Sequence, residues 1–297
     1  MGKINVRSPY FIKLATPNLT TAKLEIKIYT GVANITWTGS IQYTLNSTAV
    51  SAKVNFEISE LVKDYIQTEF DGSFPSTPVT ITEATTINVD YRTTETLSSG
   101  SPVVTTVFGE RAFYGYGYFE EGDNPQLDNY VLQSNTRILK NTNETVSIAV
   151  DNTIATNLVW KYQGSTVLSV AITAESKIEN QISYITNTGN FNVDQAEIST
   201  SAKTQTININ SYEKCKYTPL KLTFINKFGA YQEIWMFANS ILKMSTSEER
   251  YKSNILTNGT YNTYDPQIKL LTKNANQALT LNSDFYPESY NEIFRQL

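Results

Sequence analysis

The fold of the C-terminal part of the chain is decided by the stretch Thr218-Pro-Leu-Lys-Leu-Thr-Phe-Ile-Asn-Lys-Phe-Gly-Ala-Tyr-Gln-Glu-Ile-Trp-Met-Phe237. Apolar and polar side chains alternate on both sides of a break at residues 226–230, and a period of two is typical of β-strands. Asn226 can bond its own backbone in a turn, and Gly229 tolerates the positive φ that a short loop requires. The stretch therefore predicts a β-hairpin. Its second strand carries large side chains on both faces, which indicates that it is covered on both sides.

Length and charge exclude several classes of protein. The chain has 297 residues, a formal net charge of -4 and an isoelectric point near 5.1. This length corresponds to about two domains. The acidic balance lacks the excess of Lys and Arg that neutralises phosphates, so we expect no specific nucleic-acid binding. No apolar run approaches the ~20 residues of a membrane span, and no secretory leader is visible.

The usual catalytic residues are scarce, since the chain contains no His and a single Cys. This composition excludes His/Cys zinc sites, Ser-His-Asp and Cys-His nucleophile systems, and an intrachain disulfide. Cys215 lies between two lysines, and we interpret it as a packing residue rather than a reactive thiol. Paired carboxylates could serve glycoside hydrolysis, but the candidates lie in polar runs where ordinary pKa values are expected; they are Glu120, Glu121, Asp123, Glu248 and Glu249. The sequence predicts no enzyme, no metal site and no cofactor.

Short alternating segments predict a mainly β fold made of several small antiparallel, sandwich-like domains. The clearest half-buried strand runs from Ala22 to Ile28, and segments spaced roughly ten residues apart between Thr145 and Ile209 are typical of a β-sandwich. Trp160 is expected in the core of that sandwich. We divide the chain into an N-terminal β-domain (1–135), the sandwich (136–211) and a C-terminal hairpin-plus-helix domain (212–297).

Two segments have helical periodicity. One is an interior helix from Glu60 to about Phe70, with Ser59 as its N-cap. The other is formed by the last eleven residues, whose apolar stripe needs a docking surface because so short a helix is marginal alone in water. We interpret the polar run from Glu248 to Asn254 as a connection between strands.

Alternating glycine and aromatic residues occupy the segment from Phe113 to Phe119. Its glycines can admit the close approach of another backbone, which is the interpretation that we favour. Alternatively, Tyr114, Tyr116 and Tyr118 could stack on a sugar if their rings are exposed.

Five segments resemble a known group of proteins: 8–13, 56–66, 115–122, 222–229 and 285–294. They look like parts of virion structural proteins, of the tail or neck type, from tailed bacteriophages that infect Bacteroidetes and related hosts. The similarity covers most of the chain and is weakest in the middle sandwich. It implies a β-rich, cofactor-free subunit that is made in the host cytoplasm and assembles in the virion tail. The implied partners are further copies in a ring and other virion proteins.

Two functional hypotheses follow from the sequence. The first is a structural subunit of a phage tail, baseplate or head-to-tail connector. The second is a carbohydrate-binding adhesin or receptor-binding tail module that contacts a host-surface glycan. The side chains expected at interfaces are Trp235, Phe237, Tyr290, Ile293, Phe294, Tyr114, Tyr116 and Tyr118.

Overall fold

The structure is a computed structural model that describes residues 3–31, 33–68, 70, 72, 74, 81–83, 85–117, 124, 130–151, 156–172, 182–189, 192–201, 203–213, 216–254, 256, 258–264 and 266–297. It is mainly β, with several small sheets and short helices, which confirms the predicted fold class.

Strands account for most of the elements. The first nine along the chain are β1 (Lys3–Asn5), β2 (Phe11–Leu14), β3 (Leu19–Tyr29), β4 (Tyr43–Thr48), β5 (Val54–Glu57), β6 (Ile81–Glu83), β7 (Thr86–Leu97), β8 (Val103–Phe113) and β9 (Arg137–Asn141). The next ten are β10 (Ser147–Asp151), β11 (Thr156–Tyr162), β12 (Ser165–Ile172), β13 (Ile182–Thr186), β14 (Gln195–Ser199), β15 (Thr204–Tyr212), β16 (Leu220–Ile225), β17 (Tyr231–Met236), β18 (Ile241–Lys252) and β19 (Ile268–Thr280). The helical elements are α1 (Ser59–Lys63), a 3-10 turn (Glu288–Tyr290) and α2 (Asn291–Phe294).

The first sheet has the strand order β1-β8-β7-β3-β4, and β2 pairs separately with β5. In β3, Leu24 and Ile26 are fully buried in a core that also contains Phe56 of β5 and Val62 of α1. The apolar residues that alternate along β3 therefore face this core, as the sequence predicted. The parallel pairing of β1 with β8 joins segments more than a hundred residues apart in the chain.

A sandwich is formed by the five-stranded sheet β12-β11-β14-β15-β9 and the three-stranded sheet β10-β13-β6. One hydrophobic core joins them: Trp160 of β11 packs in the same cluster as Ile148 of β10 and Ile185 of β13, and all three side chains are fully buried. The predicted sandwich and its buried Trp160 are confirmed.

The β16–β17 hairpin also has its predicted turn. The Asn226 backbone N–H donates to the Ala230 carbonyl at 2.8 Å, and Gly229 has a φ of 79°. The Asn226 side-chain oxygen accepts hydrogen bonds from the N–H groups of Phe228 and Ala230. Five of the six residues of β17 are buried, so this strand is covered on both faces.

The interior helix differs from its prediction. α1 forms a single turn from Ser59 to Lys63 and does not continue to Phe70. Ser59 is not the N-cap, because its hydroxyl donates to the Glu57 carboxylate instead. Local periodicity overestimated the helix: the N–H groups of Tyr65 and Ile66 donate to the carbonyls of Val62 and Lys63, three residues back, so the α-helical pattern ends after one turn.

The chain separates into two compact units. The first contains residues 1–213, 221–235 and 286–297, and the second contains residues 214–220 and 236–285. The strands β18 and β19 belong to the second unit and pair only with each other among the strands that the structure describes.

Candidate functional site

The glycine–aromatic segment packs against the turn of the β16–β17 hairpin. A Cβ atom on Gly115 would lie 2.7 Å from the carbonyl oxygen of Lys227, and one on Gly229 would lie 2.8 Å from the backbone nitrogen of Tyr114. The backbone N–H of Tyr116 donates to the same Lys227 carbonyl at 2.8 Å. Two backbones thus meet at two glycines, which confirms the favoured interpretation of this segment.

The two tyrosines of this segment that the structure describes, Tyr114 and Tyr116, do not form a free stacking surface. The Arg7 guanidinium lies 5.4 Å from the ring centroid of Tyr114 and 4.6 Å from that of Tyr116. Both rings are half-buried, and burial raises the pKa of Tyr116. Tyr118 lies outside the described residues. A sugar needs an exposed ring face, and Arg7 occupies one face of each described ring.

The remaining aromatic and apolar interface candidates are largely buried within the chain. The exposed fraction is 6% for Trp235, 1% for Phe237, 3% for Tyr290 and 2% for Ile293, whereas Phe294 is half-buried. These four side chains could contact another molecule only after part of the subunit had unfolded to expose them.

The C-terminal helical segment docks on its own chain. Tyr290 donates its hydroxyl hydrogen to the Arg137 carbonyl at 2.9 Å, and burial raises the pKa of this tyrosine. The Gln296 side-chain oxygen accepts hydrogen bonds from the Lys227 backbone N–H and the Ser134 hydroxyl, at 2.9 and 2.7 Å. These contacts provide the docking surface that the apolar stripe required.

Asp151 is an acid buried among basic groups. Its carboxylate lies 2.7 Å from the Lys3 ammonium group and 3.0 Å from the Arg111 guanidinium group. The strands β1, β8 and β10 supply these three side chains, so the ion pairs tie the first sheet to the sandwich.

Glu233 of β17 is a carboxyl group whose side chain is only 9% exposed. Burial raises its pKa, and the Lys221 ammonium group 2.7 Å away opposes that rise. The open hollows on the two larger sheets are lined mainly by Thr, Ser and Asn side chains and contain neither Asp151 nor Glu233. Within the described ranges, no three His, Cys, Asp or Glu side chains are grouped as a metal ion would require.

The most unusual surface of the molecule is the hairpin formed by β18 and β19. Every residue of both strands is exposed to solvent. Strands of 12 and 13 residues span roughly 40 Å at ~3.3 Å per residue. We call β18 and β19, together with residues 253–267 between them, the exposed hairpin.

The two faces of the exposed hairpin differ in chemistry. Side chains directly opposite each other in an antiparallel pair share a face. One face therefore carries the pairs Leu242 with Leu279, Met244 with Gln277, Thr246 with Ala275, Glu248 with Lys273, Arg250 with Leu270, and Lys252 with Ile268. The other carries the pairs Ile241 with Thr280, Lys243 with Ala278, Ser245 with Asn276, Ser247 with Asn274, Glu249 with Thr272, and Tyr251 with Lys269.

We call the first of these the apolar face. Its five large apolar side chains are each more than half exposed: Leu242, Met244, Ile268, Leu270 and Leu279. Its central ion pairs join Glu248 to Arg250 at 2.8 Å and to Lys273 at 3.0 Å. These partners hold the pKa of the Glu248 carboxyl below its usual value, with Arg250 as the larger cause.

Sequence reasoning missed this hairpin. The run from Glu248 to Asn254, interpreted as a connection, lies mostly within β18, and its long partner strand β19 was not predicted as one element. Sequence patterns predict a strand mainly through the alternation that burial of one face requires. Both faces of these strands are exposed, so this alternation is not required. The alternation of Leu242 and Met244 with Lys243 and Ser245 was the clue available.

The chain was also compared with known proteins. Neither a scan against protein-family models nor a search of curated proteins found a match. No helix in the described part of the chain is long and apolar enough to cross a membrane.

Proposed function

We propose that the chain is a structural subunit of a bacteriophage tail, baseplate or head-to-tail connector, and that it assembles through protein–protein contacts. The observation that supports this role is the exposed hairpin with its apolar face. In this proposal the chain is not an enzyme and needs no cofactor.

A two-stranded hairpin is at best marginally stable alone in water, because no further strand or helix covers its side chains. Here the uncovered side chains include five large apolar ones on a single face. They form two groups on this face, one near each end of the hairpin, separated by the Glu248–Lys273 pair. Exposed apolar side chains grouped on one face are typical of interaction sites in soluble proteins. If neighbouring proteins in a particle cover this hairpin, both its low stability alone and its exposed apolar side chains are explained.

The class of particle comes from the resemblance of five segments to virion structural proteins. Two of these segments have structural roles that suit a rigid building block: residues 222–229 form part of the β16–β17 hairpin, and residues 285–294 include the docked C-terminal helical segment. The alternative of a glycan-binding module depended on free tyrosine rings, and Arg7 lies against Tyr114 and Tyr116. We therefore favour the structural role.

The test is the composition and assembly of phage particles. In the phage whose genome encodes the chain, we expect the protein at fixed copy number in purified particles and at one position along the tail axis in electron micrographs. A nonsense mutation in its gene should leave incomplete particles, and a plasmid-borne copy should restore them as the control. Infectious particles that lack the protein would contradict the proposal.

A further inference from the structure

We infer that the apolar face of the exposed hairpin binds a second copy of this chain, and that it docks on the part of that copy that lies outside the hairpin. This inference rests on the proposed structural role and names the partner of the surface described above. It predicts a head-to-tail contact between copies rather than a contact between two hairpins.

The distribution of charge identifies the partner surface. The exposed hairpin, residues 241–280, has five basic and three acidic side chains and so a formal charge of +2, in a chain whose total is -4. The rest of the chain therefore carries -6. Two hairpins face to face would bring like net charges together, whereas a hairpin on the rest of another copy joins opposite charges. Since salt screens exposed charges beyond ~8 Å, this difference acts at the contact itself.

The size of the surface corresponds to a small interface, about half of the standard size per partner. A face about 40 Å long and two strands wide, or ~10 Å, has a flat area of about 400 Å². A standard interface takes ~800 Å² of accessible surface from each partner. Tyr261 and Tyr264, in the connection between the two strands, are 61% and 91% exposed. Exposed tyrosines and Met are typical of interface centres.

The geometry of the contact has a consequence for assembly. When different surfaces of two copies meet, each copy still has one free surface of each kind, so the contact repeats into a ring or an open chain. A copy with a defective hairpin can still accept the hairpin of another copy. A contact between two hairpins would instead stop at a dimer and would exclude any copy with a defective hairpin.

The first experiment compares lysine substitutions at adjacent positions on opposite faces. Met244→Lys places a charge on the apolar face, and Ser245→Lys places the same charge on the other face. Both sites are exposed, so both variants should keep the wild-type circular dichroism spectrum. In sedimentation velocity, Met244→Lys should weaken self-association by about tenfold or more, while Ser245→Lys should leave it near the wild-type value. Leu279→Lys and Ala278→Lys repeat the comparison on the second strand, should one variant fail to fold.

The second experiment separates the two modes of contact. Affinity-tagged Met244→Lys protein is mixed with untagged wild-type protein and recovered on the tag. We expect it to retain wild-type chains, with less retained as NaCl is raised because opposite charges meet. Failure to retain them, or retention that strengthens with salt, would overturn the docking mode.

Equal effects of the lysine substitutions on the two faces, or a wild-type protein that stays monomeric at its highest soluble concentration, would overturn the inference. These outcomes are distinct from failure of the proposed function. Finding the chain in particles with its hairpin against a different protein would remove this inference alone. Finding no chain in particles would remove the proposed function and leave the self-association results standing.

Discussion

Gly229 offers the sharpest test of how the chain packs, because two separate effects act on its substitution. Its φ is 79°, and an added Cβ atom would lie 2.8 and 2.9 Å from the backbone N and C atoms of Tyr114. A left-handed conformation costs a non-glycine residue ~1–2 kcal/mol. Overpacking against a backbone that cannot retreat adds ~1–3 kcal/mol. Gly229→Ala should therefore destabilise the protein by about 2–5 kcal/mol.

Two other glycines separate these effects. Gly164 has a φ of 78°, and an added Cβ atom would meet nothing within 4 Å, so Gly164→Ala tests the conformational cost alone, at ~1–2 kcal/mol. At Gly115, which has no positive φ, an added Cβ atom would lie 2.7 Å from the Lys227 carbonyl oxygen and still closer to the Asn5 side-chain oxygen. Gly115→Ala therefore tests steric crowding without the conformational cost, at ~1–3 kcal/mol. The double variant Gly115→Ala/Gly229→Ala should lose less than the sum of the single losses, because either substitution opens the same contact.

Urea unfolding followed by tryptophan fluorescence measures these differences, since Trp160 and Trp235 are both buried. With a urea dependence of ~3 kcal/mol per molar, Gly229→Ala should lower the midpoint by about 1 M, and Gly164→Ala by roughly half of that or less. Equal losses at Gly229 and Gly164 would refute the argument that Tyr114 closely approaches the turn.

Three further outcomes follow from buried polar groups. Asp151→Ala removes the carboxylate beside the buried Arg111 and should cost ~3–5 kcal/mol of unfolding free energy, measured in urea. The control Glu60→Ala, at an exposed ion pair, should change stability by less than ~1 kcal/mol. Equal losses in the two variants would contradict the prediction for Asp151. Asn226→Ala removes the side-chain oxygen that accepts from the N–H groups of Phe228 and Ala230, and the side-chain N–H that donates to the Leu132 carbonyl. We expect a loss of at least ~2 kcal/mol in unfolding free energy. A urea midpoint within error of the wild-type value would contradict the described turn. Because burial raises the pKa of Glu233, its carboxyl group favours folding at low pH and loses that contribution as pH rises through the folded-state pKa. Urea midpoints between about pH 4 and pH 8 should therefore show wild type losing stability relative to Glu233→Gln as pH rises, and a constant difference would count against this.

Patterns local in sequence were sufficient to predict a strand wherever alternate side chains are apolar and buried. Alternation of apolar residues predicted β3 and the sandwich strands, and the Asn226–Gly229 turn followed from the backbone preferences of its own residues. The expectation that β3 is half-buried was wrong, because Glu25 and Lys27 on its other face are buried as well. The interior helix was overestimated, because periodicity does not show that the hydrogen bonds of Tyr65 and Ile66 reach only three residues back.

The candidate site was less accessible to sequence reasoning. The exposed hairpin has no buried face to impose a pattern, and its long pairing of β18 with β19 is visible only in the structure. Whether the rings of Tyr114 and Tyr116 are free to stack on a sugar likewise depended on Arg7, which is remote in sequence and lies against both rings.

The sequence by itself determined a mainly β chain, its strands with alternating apolar residues, and a hairpin turn at Asn226 to Gly229. The tertiary structure alone decided which strands from distant parts of the chain pair, where the aromatic side chains are buried, and which apolar side chains remain uncovered. The reason is that alternation and turn propensity act between residues close in sequence, whereas burial depends on contacts between segments that only the folded chain brings together.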